Sequence, residues 1–449
     1  MRTALSLGCL LGLTALDCAN PPPRMVPAKS PSLTLAGSPP GHRPRSRTWR
    51  LHPQTPFKLV GEGLRDIADL RPISGAMVVV GAACSVPLGT KRAPPTQVQV
   101  AVGDTFGTPP PLLLAPEGHL DRAEIQDGSW PNDLWLSLGY TANESSYLGG
   151  GLLAHWNGAA WQWLGREASL DPARVLAWHD GAKLVTQYLP RSRHGGSVKP
   201  FRVVGATSHA PPDFSALPFE PPRGDDGNIT VDYASSSSHE LFVAVALSGQ
   251  ARFGIGRTTS SGKSLLDKVD VEPARPEAVR FVVGDLNGKE RVVAWTKLTQ
   301  SNRPTRLWLR SHDRDSFVQV PSPPSFSEAG YTDVWFADGA LWVRQASTIW
   351  RGDGGSWSKH ATVSPYAPLT VSADGTLWTR DGIRLQRIGP RGEVVEVPLF
   401  EESVRPDSSP QLGRLVAGTT ADDLWLEAHQ GEETLLFGTR VMTNMLRCD

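Results

Sequence analysis

The residues best suited to acid–base or metal chemistry are a few histidines and acidic side chains. His155, His179 and Asp180 could together hold a metal ion or provide a general base, because imidazole and carboxylate groups serve both purposes. However, the 11 histidines of the chain are scattered without the short spacings that mark a metal site. We therefore expect solvated or core histidines, and we predict no metal and no cofactor.

Two turn-like segments contain ligand-type residues. Residues 256–264 suggest a phosphate loop, but five residues separate Gly256 from Gly262 where the nucleotide motif has four. Residues 285–290 offer Asp285, Asn287 and Glu290 to a calcium ion, but Lys289 opposes a cation. Two ordinary hairpins are predicted instead, the second around an Asn-Gly turn.

A repeated sequence motif, which we call the repeated phrase, indicates the elements that must position these side chains. It consists of an Asp, up to a few small residues, an aliphatic residue and a Trp, and it occurs at 133–135, 333–335, 338–342, 374–378 and 423–425. A strand-turn phrase at a pitch of roughly 35–55 residues is typical of propeller-like arrays. The chain also has 44 Gly and 39 Pro, as expected for many short strands joined by turns. We predict an all-β propeller, with eight blades preferred and seven as the alternative.

The most hydrophobic strand of each unit is predicted to be its second. These strands are placed at 76–81, 134–139, 183–188, 240–246, 291–297, 340–344, 376–380 and 423–428. The last unit has three clear strands, and residues 57–60 are expected to supply its fourth. That exchange would close the ring and remove an exposed sheet edge.

The N-terminal region has the composition of a targeting segment. Met1 and Arg2 precede an apolar run at 4–16, shorter than the ~20 residues of a membrane-spanning helix, so 1–18 is predicted to be a signal peptide. Cys18 makes it resemble a bacterial lipoprotein signal with an acylated Cys18; secretion with Cys18 removed, or retention in the cytosol, are the alternatives. Residues 19–56 are rich in Pro and Arg, contain no acidic residue and are predicted to be a disordered tether. The propeller is assigned to 57–449.

The repeats resemble those of Asp-box and two-component-regulator propellers of secreted bacterial proteins. The residues that carry this resemblance are 337–342 and 372–378, together with the pairing of 132–135 and 155–161. The resemblance implies the fold and says little about activity, because one fold hosts many functions. A sialidase-like enzyme would also need a cluster of Arg with a Tyr and an acidic partner, and no spacing singles out Arg65, Arg71 and Tyr331 for that role.

Charge and loop composition favour a binding role. The chain has 45 basic and 45 acidic residues, which argues against nucleic-acid binding. We predict a non-catalytic, extracytoplasmic and monomeric binding or scaffold propeller that recognises a protein or polysaccharide and meets a membrane only through a lipid anchor. Its candidate binding loops are 86–98, 141–151, 190–199 and 299–305. The alternative is a propeller enzyme, a glycoside hydrolase or lyase-like protein, with its site at the central channel.

Four cysteines occur, and Cys9 and Cys18 lie in the signal region. Cys84 and Cys448 therefore remain near the two ends of the folded region, where an oxidising compartment would let them pair. A ring brings its first and last blades together, so this disulfide would lock the ring; two free thiols are the alternative.

We expect Cys84→Ser to lower the melting temperature, because a bridge across so long a loop contributes on the order of 4–5 kcal/mol in the chain-entropy model. Thermal unfolding of the secreted protein with and without reductant measures this effect. Two titratable thiols in the unreduced, denatured protein would contradict the pairing.

Overall fold

Strands and turns account for the regular structure in the computed structural model. The described residues are 49–447, except 65, 83–96, 108–118, 142–148, 169–173, 178–180, 187–201, 206–228, 237–239, 248–251, 259–263, 271–277, 298–305, 311–316, 325–331, 366, 373, 402–409, 419, 421–422 and 432. Residues 47–449 form one unit, and the other unit, 1–46, lies outside the described residues. Within the described part of the chain no α-helix occurs, and therefore none long and apolar enough to cross a membrane.

The described strands form eight sheets, which we number along the chain. The strand β1 (Lys58–Leu64) belongs to the last of them. Sheet 1 contains β2 (Asp66–Ile73), β3 (Ala76–Ala82), β4 (Gln97–Val102) and β5 (Thr105–Gly107), and sheet 2 contains β6 (His119–Ser129), β7 (Asp133–Thr141), β8 (Gly149–Trp156) and β9 (Trp161–Ala168). Sheet 3 contains β10 (Arg174–Ala177), β11 (Lys183–Thr186) and β12 (Arg202–Val204). Sheet 4 contains β13 (Ile229–Ser235), β14 (Leu241–Leu247), β15 (Arg252–Thr258) and β16 (Ser264–Asp270).

The remaining sheets follow the same order. Sheet 5 contains β17 (Ala278–Leu286), β18 (Lys289–Lys297), β19 (Leu307–Arg310) and β20 (Phe317–Val320), and sheet 6 contains β21 (Thr332–Ala337), β22 (Ala340–Gln345), β23 (Thr348–Gly352) and β24 (Trp357–Thr362). Sheet 7 contains β25 (Leu369–Val371), β26 (Leu377–Asp381), β27 (Arg384–Ile388) and β28 (Val394–Val397). Sheet 8 contains β29 (Gln411–Ala417), β30 (Leu424–Gln430), β31 (Glu433–Gly438), β1 and β32 (Leu446–Arg447).

Sheets 1 to 7 are antiparallel meanders, and sheet 8 is a three-strand meander to which β1 and β32 are added; together they make a β-propeller. The eight predicted second strands are confirmed, because each coincides with the second strand of its sheet: β3, β7, β11, β14, β18, β22, β26 and β30. The number of blades stays a prediction, since sheet 3 has three described strands and 206–228 lie outside the described residues.

Local turn chemistry explains why the strands reverse where they do. Asn287 and Gly288 have φ angles of 55° and 75°, and Asp338 and Gly339 have φ angles of 48° and 62°. Positive φ at both central residues is the mark of the tight hairpin turn that Asn-Gly and Asp-Gly pairs adopt, because its twist matches that of the flanking strands. The Asn-Gly hairpin predicted from the sequence is thus present, and Asp338 and Gly339 form a second hairpin turn of the same kind.

The core lies between the sheets. One cluster joins Val78 and Val98 of sheet 1 to Leu134 and Leu136 of sheet 2. Further clusters join sheets 5 and 6, sheets 6 and 7, and sheets 7 and 8. These sheets therefore bury their apolar side chains against their neighbours in the chain, which is the packing of a repeat architecture.

The ring closes between sheets 8 and 1. Trp425 and Leu436 of sheet 8 share a buried cluster with Leu70 and Met77 of sheet 1. The N-terminal strand β1 pairs antiparallel with β31, which confirms that the chain start completes the last sheet. The strand extends over Lys58–Leu64, beyond the predicted 57–60, and β32 adds a parallel fifth strand.

The C-terminal segment also contacts the first sheet. The Asn444 side chain accepts a hydrogen bond from the Phe106 amide (2.9 Å) and donates one to the Phe106 carbonyl (3.2 Å). Thr443 donates its backbone amide to the Asp104 carbonyl at 2.7 Å. Both chain ends thus participate in closure.

Residues 49–56, which the sequence analysis placed in the tether, belong to the folded part. The Trp49 ring is buried and contacts Phe400 and Phe437 edge-on, and its indole donates to Gln430 at 2.8 Å. Leu51 forms a β-bridge with Phe400. The folded part therefore begins before the predicted residue 57. The apolar residues of this short segment fill a site on sheets 7 and 8, although the composition of the segment resembles that of a spacer.

The repeated Trp residues fill the space between sheets. Trp135, Trp295, Trp342, Trp378 and Trp425 all lie on second strands and are buried, as is Phe242 of sheet 4. In two repeats the preceding Asp accepts the indole N–H at 2.6 Å, in the pairs Asp133–Trp135 and Asp423–Trp425. In another repeat Asp374 caps its own turn by accepting the Thr376 amide at 3.0 Å. These contacts support a structural role for the repeats.

Trp378→Ala should destabilise the protein by about 3–5 kcal/mol, the range for removing a buried Trp or Phe from a core. Urea unfolding followed by fluorescence measures the loss, and Ile383→Ala, at an exposed turn of the same sheet, is the control expected to change little. A loss below about 1 kcal/mol at Trp378 would contradict the core assignment.

Candidate functional site

Several residues singled out by the sequence lie outside the described part of the chain. They are Cys18, Cys84, Cys448, His179, Asp180, Arg65 and Tyr331. Lipidation at Cys18 and the Cys84–Cys448 bridge therefore stay predictions. The nearest described residues, Ala82 and Arg447, belong to sheets 1 and 8, the two sheets that meet at ring closure.

The two suspected ligand loops are hairpins in their described residues. Gly256 lies within β15 and Ser264 begins β16, its antiparallel partner, while the connection at 259–263 lies outside the described residues. At the second hairpin the Asp285 carboxylate accepts the Gly288 amide at 2.9 Å, so this group stabilises the turn. No set of three or more His, Cys, Asp or Glu placed to hold a metal ion occurs among the residues that the structure describes.

A polar cluster instead forms at the junction of sheets 2 and 3, around Asp133. Its carboxylate accepts hydrogen bonds from the Trp135 indole at 2.6 Å and pairs with His155 Nε2 at 2.9 Å. Lys183 Nζ of sheet 3 lies 3.4 Å from the second Asp133 oxygen and 2.7 Å from Asp127. The cluster thus joins the start of β7, the end of β6 and the start of β11.

The register of β7 and β8 explains why Asp133, Trp135 and His155 meet. Trp135 and His155 are cross-strand partners, and their rings stack with centroids 4.0 Å apart. Asp133 lies two residues before Trp135 and therefore on the same face of the strand. His155 was singled out from the sequence, but Asp127 and Lys183 were not, since no local pattern records a contact between two different sheets.

The cluster stabilises the charged forms of its acid and its base. Burial raises the pKa of Asp133, but the His155 hydrogen bond, the Lys183 charge and the Trp135 hydrogen bond outweigh burial and lower the pKa. Burial likewise lowers the pKa of Lys183, and its contacts with Asp127 and Asp133 outweigh burial and raise the pKa. Both groups therefore stay charged at neutral pH, as in a structural ion pair, whereas a general acid needs its proton near neutral pH.

A cavity of about 410 Å³ adjoins this cluster. The end of β2 with Ser74, the end of β6 and Gly418 just after β29 line it. First strands are the innermost strands of a propeller, so the cavity lies at one mouth of the central channel. Asp127 belongs to both the cavity wall and the polar cluster.

The comparisons with known proteins bear on fold alone. No protein-family model matches the chain, and no curated protein does. Among solved structures, the Dos1 propeller is 9% identical, with a TM-score of 0.48 and coverage of 88% of this chain and 98% of that chain. Prolyl oligopeptidase B from Galerina marginata is 9% identical, with a TM-score of 0.46 and coverage of 81% and 55%.

The sialidase of Trypanosoma rangeli is 12% identical, with a TM-score of 0.33 and coverage of 67% of this chain and 54% of that chain. The chain therefore spans about half the length of the sialidase structure. These propeller-containing structures include enzymes and non-catalytic proteins, and the likeness assigns no activity. The resemblance to Asp-box and two-component-regulator repeats stays a prediction.

The Asp133 cluster should make stability depend on pH in acid. A carboxylate whose pKa is lowered by folding contributes stability that is complete above its unfolded value, near 3.8, and is lost as the pH falls through the lower pKa of the folded state. We expect Asp133→Asn to cost about 1–3 kcal/mol at neutral pH, since it weakens three polar contacts.

Urea unfolding between about pH 7 and about pH 2.5 tests this dependence. The difference between wild type and Asp133→Asn should shrink as the pH falls below 3.8. Asp381→Asn, at an exposed position, is the control expected to match wild type throughout. A constant difference down to the lowest pH would show that Asp133 acts through packing and not through its charge.

Proposed function

We propose that this chain is a non-catalytic binding or scaffold propeller that recognises a protein or glycan partner through loops on one face of the ring. The observation that carries the proposal is the position of the four predicted loops. Segments 86–98, 141–151, 190–199 and 299–305 each fall at the connection between the second and third strands of a sheet. The connections themselves lie outside the described residues.

Their common position puts them on a common face. Second strands run in the same direction in every sheet of a propeller, so their carboxyl ends lie on the same side of the ring. The four connections belong to sheets 1, 2, 3 and 5, so three of them leave consecutive sheets. Loops on a rigid scaffold are where binding function concentrates.

The rest of that face is built differently. In sheet 6 the same connection is the two-residue turn Ala346–Ser347, and in sheet 7 it is Gly382–Ile383. The long connections thus belong to sheets 1, 2, 3 and 5, whereas sheets 6 and 7 have minimal hairpins. Stability does not require this asymmetry, because tight turns close the meander in sheets 6 and 7, and we attribute it to partner binding.

The electrostatics of the described residues support a binding role over an enzymatic one. Asp133 and Lys183 hold each other in their charged forms. Buried charges elsewhere also form ion pairs, such as Arg310 with Glu240 and Arg344 with Asp333. These ion pairs hold neighbouring strands and sheets together, which is a structural use of charged side chains.

We propose an extracytoplasmic location on the basis of the N-terminal residues. The basic start, the apolar run at 4–16 and Cys18 fit a cleaved signal with a lipid anchor, or a signal that is simply removed. Metabolic labelling with a fatty-acid analogue distinguishes the two outcomes, because Cys18→Ser should abolish incorporation only if Cys18 is acylated.

Shortening the loops tests the proposed face. We expect replacement of 142–148 by an Asn-Gly turn to abolish binding to immobilised cell-wall polysaccharides or cell-envelope proteins while leaving the melting temperature nearly unchanged. The matched controls are Lys289→Ala and Arg391→Ala, exposed positions in turns of the opposite face, which should bind as wild type does. Equal binding after all four connections are shortened would overturn the proposal.

A further inference from the structure

The cavity at the channel mouth has the size of a small-molecule site. It occupies about 410 Å³ and lies where the first strands of sheets 1, 2 and 8 end. Pockets for small ligands typically enclose roughly 300–1,000 Å³. It opens on the face of the first-to-second-strand turns, opposite the proposed loop face, so it is an independent feature of the protein.

The Asp127 carboxylate, the acidic group of the cavity, already has two hydrogen-bond partners. Asp127 accepts Lys183 Nζ at 2.7 Å through one oxygen and the Gly128 amide at 2.8 Å through the other. These two contacts hold the carboxylate in a fixed orientation, and Lys183, which also lies 3.4 Å from an Asp133 oxygen, offsets part of its charge. It can still accept a hydroxyl hydrogen bond, because each carboxylate oxygen has two acceptor sites.

The basic group of the cavity is not compensated. Arg71 is exposed, and no hydrogen bond or ion pair joins its side chain to another residue in the described part of the chain. Of the two charged lining residues in the described part of the chain, Arg71 is therefore the one whose charge has no partner. A guanidinium binds a carboxylate through two parallel hydrogen bonds, which makes Arg the preferred residue for such ligands.

The remaining wall has both polar and apolar parts. Ser74 contributes a hydroxyl and Gln126 an amide, each able to donate to and accept from a ligand hydroxyl. Half-buried Pro72 contributes the accessible apolar part of the wall beside Arg71, while the side chain of Ile73 packs in the core between sheets 1 and 2. A ligand that satisfies this wall has several hydroxyls, a hydrocarbon face and one negative charge.

We propose that this cavity binds a small polyhydroxylated carboxylate of the uronic-acid class. Arg71 pairs with the carboxylate, while Ser74, Gln126 and Asp127 contact the hydroxyls. The ring carbons lie against Pro72.

Glucuronate and glucose form a matched pair for the test, since they differ in the carboxylate. In ligand-observed NMR or calorimetry on the full chain, we expect glucuronate to bind at least about tenfold more tightly than glucose. Arg71→Gln should reduce glucuronate affinity to that of glucose. Arg384→Gln, an exposed arginine of sheet 7 outside the cavity wall, should leave it unchanged.

Two further variants keep the outcome decisive. Gln126→Leu should weaken both sugars about equally, because it removes a hydroxyl contact and not the charge contact. Variants with shortened second-to-third-strand connections should retain glucuronate binding, which separates this site from the proposed partner face. Higher salt should weaken glucuronate binding and spare glucose.

Three results would overturn the inference. The first is no glucuronate binding up to about 50 mM, far weaker than a built site would give. The second is equal affinity for glucose and glucuronate. The third is unchanged glucuronate affinity in an Arg71→Gln protein with the wild-type melting temperature.

Discussion

Ring closure is the constraint on which the rest of the structure depends. A sheet in this fold buries its apolar side chains only against its neighbours, so the first and last sheets would each leave a face exposed if they did not meet. Trp425 and Leu436 of sheet 8 meet Leu70 and Met77 of sheet 1 in a shared core. The strand β1 completes the last sheet, and residues 443–444 bind the outer hairpin of the first. The chain ends thus hold the ring from both sides.

The first strand of each sheet poses a second problem, because it is an edge strand and the backbone groups on its free side have no ladder partner within the sheet. Side chains solve it at several junctions. Asp69 accepts the Ile125 amide at 2.8 Å, Asp232 accepts the Phe281 amide at 2.8 Å, and Thr370 donates to the Leu415 carbonyl at 2.6 Å. At the closing junction Arg414 donates to the carbonyls of Ile67 and Ala68 and also pairs with Glu427. Buried polar groups without partners are costly, which explains why charged residues occur at positions otherwise suited to a core.

The structural use of these charged groups bears on function. Charged groups at the sheet junctions, including Asp133 and Lys183, are used to join sheets, and they make a rigid frame whose two faces are free to differ. One face receives the long second-to-third-strand connections of sheets 1, 2, 3 and 5, and the other contains the cavity beside Arg71. A rigid ring places such features without strain, because a change in one loop or one strand end leaves the packing between sheets intact.

The sequence by itself determined the class of fold, the position of all eight second strands and the hairpin at 285–290. These features are local: alternation of side chains and the positive φ of Asn-Gly and Asp-Gly turns involve residues close in the chain. It also indicated the closing strand, because the last unit lacked one. Only the tertiary structure placed residues 49–56 on sheets 7 and 8 and brought Asp127, Asp133 and Lys183 together. It alone set Arg71 at the edge of a cavity whose other walls come from sheets 2 and 8. Contacts between sheets join residues far apart in the chain, and no periodicity of the sequence records which of them will meet.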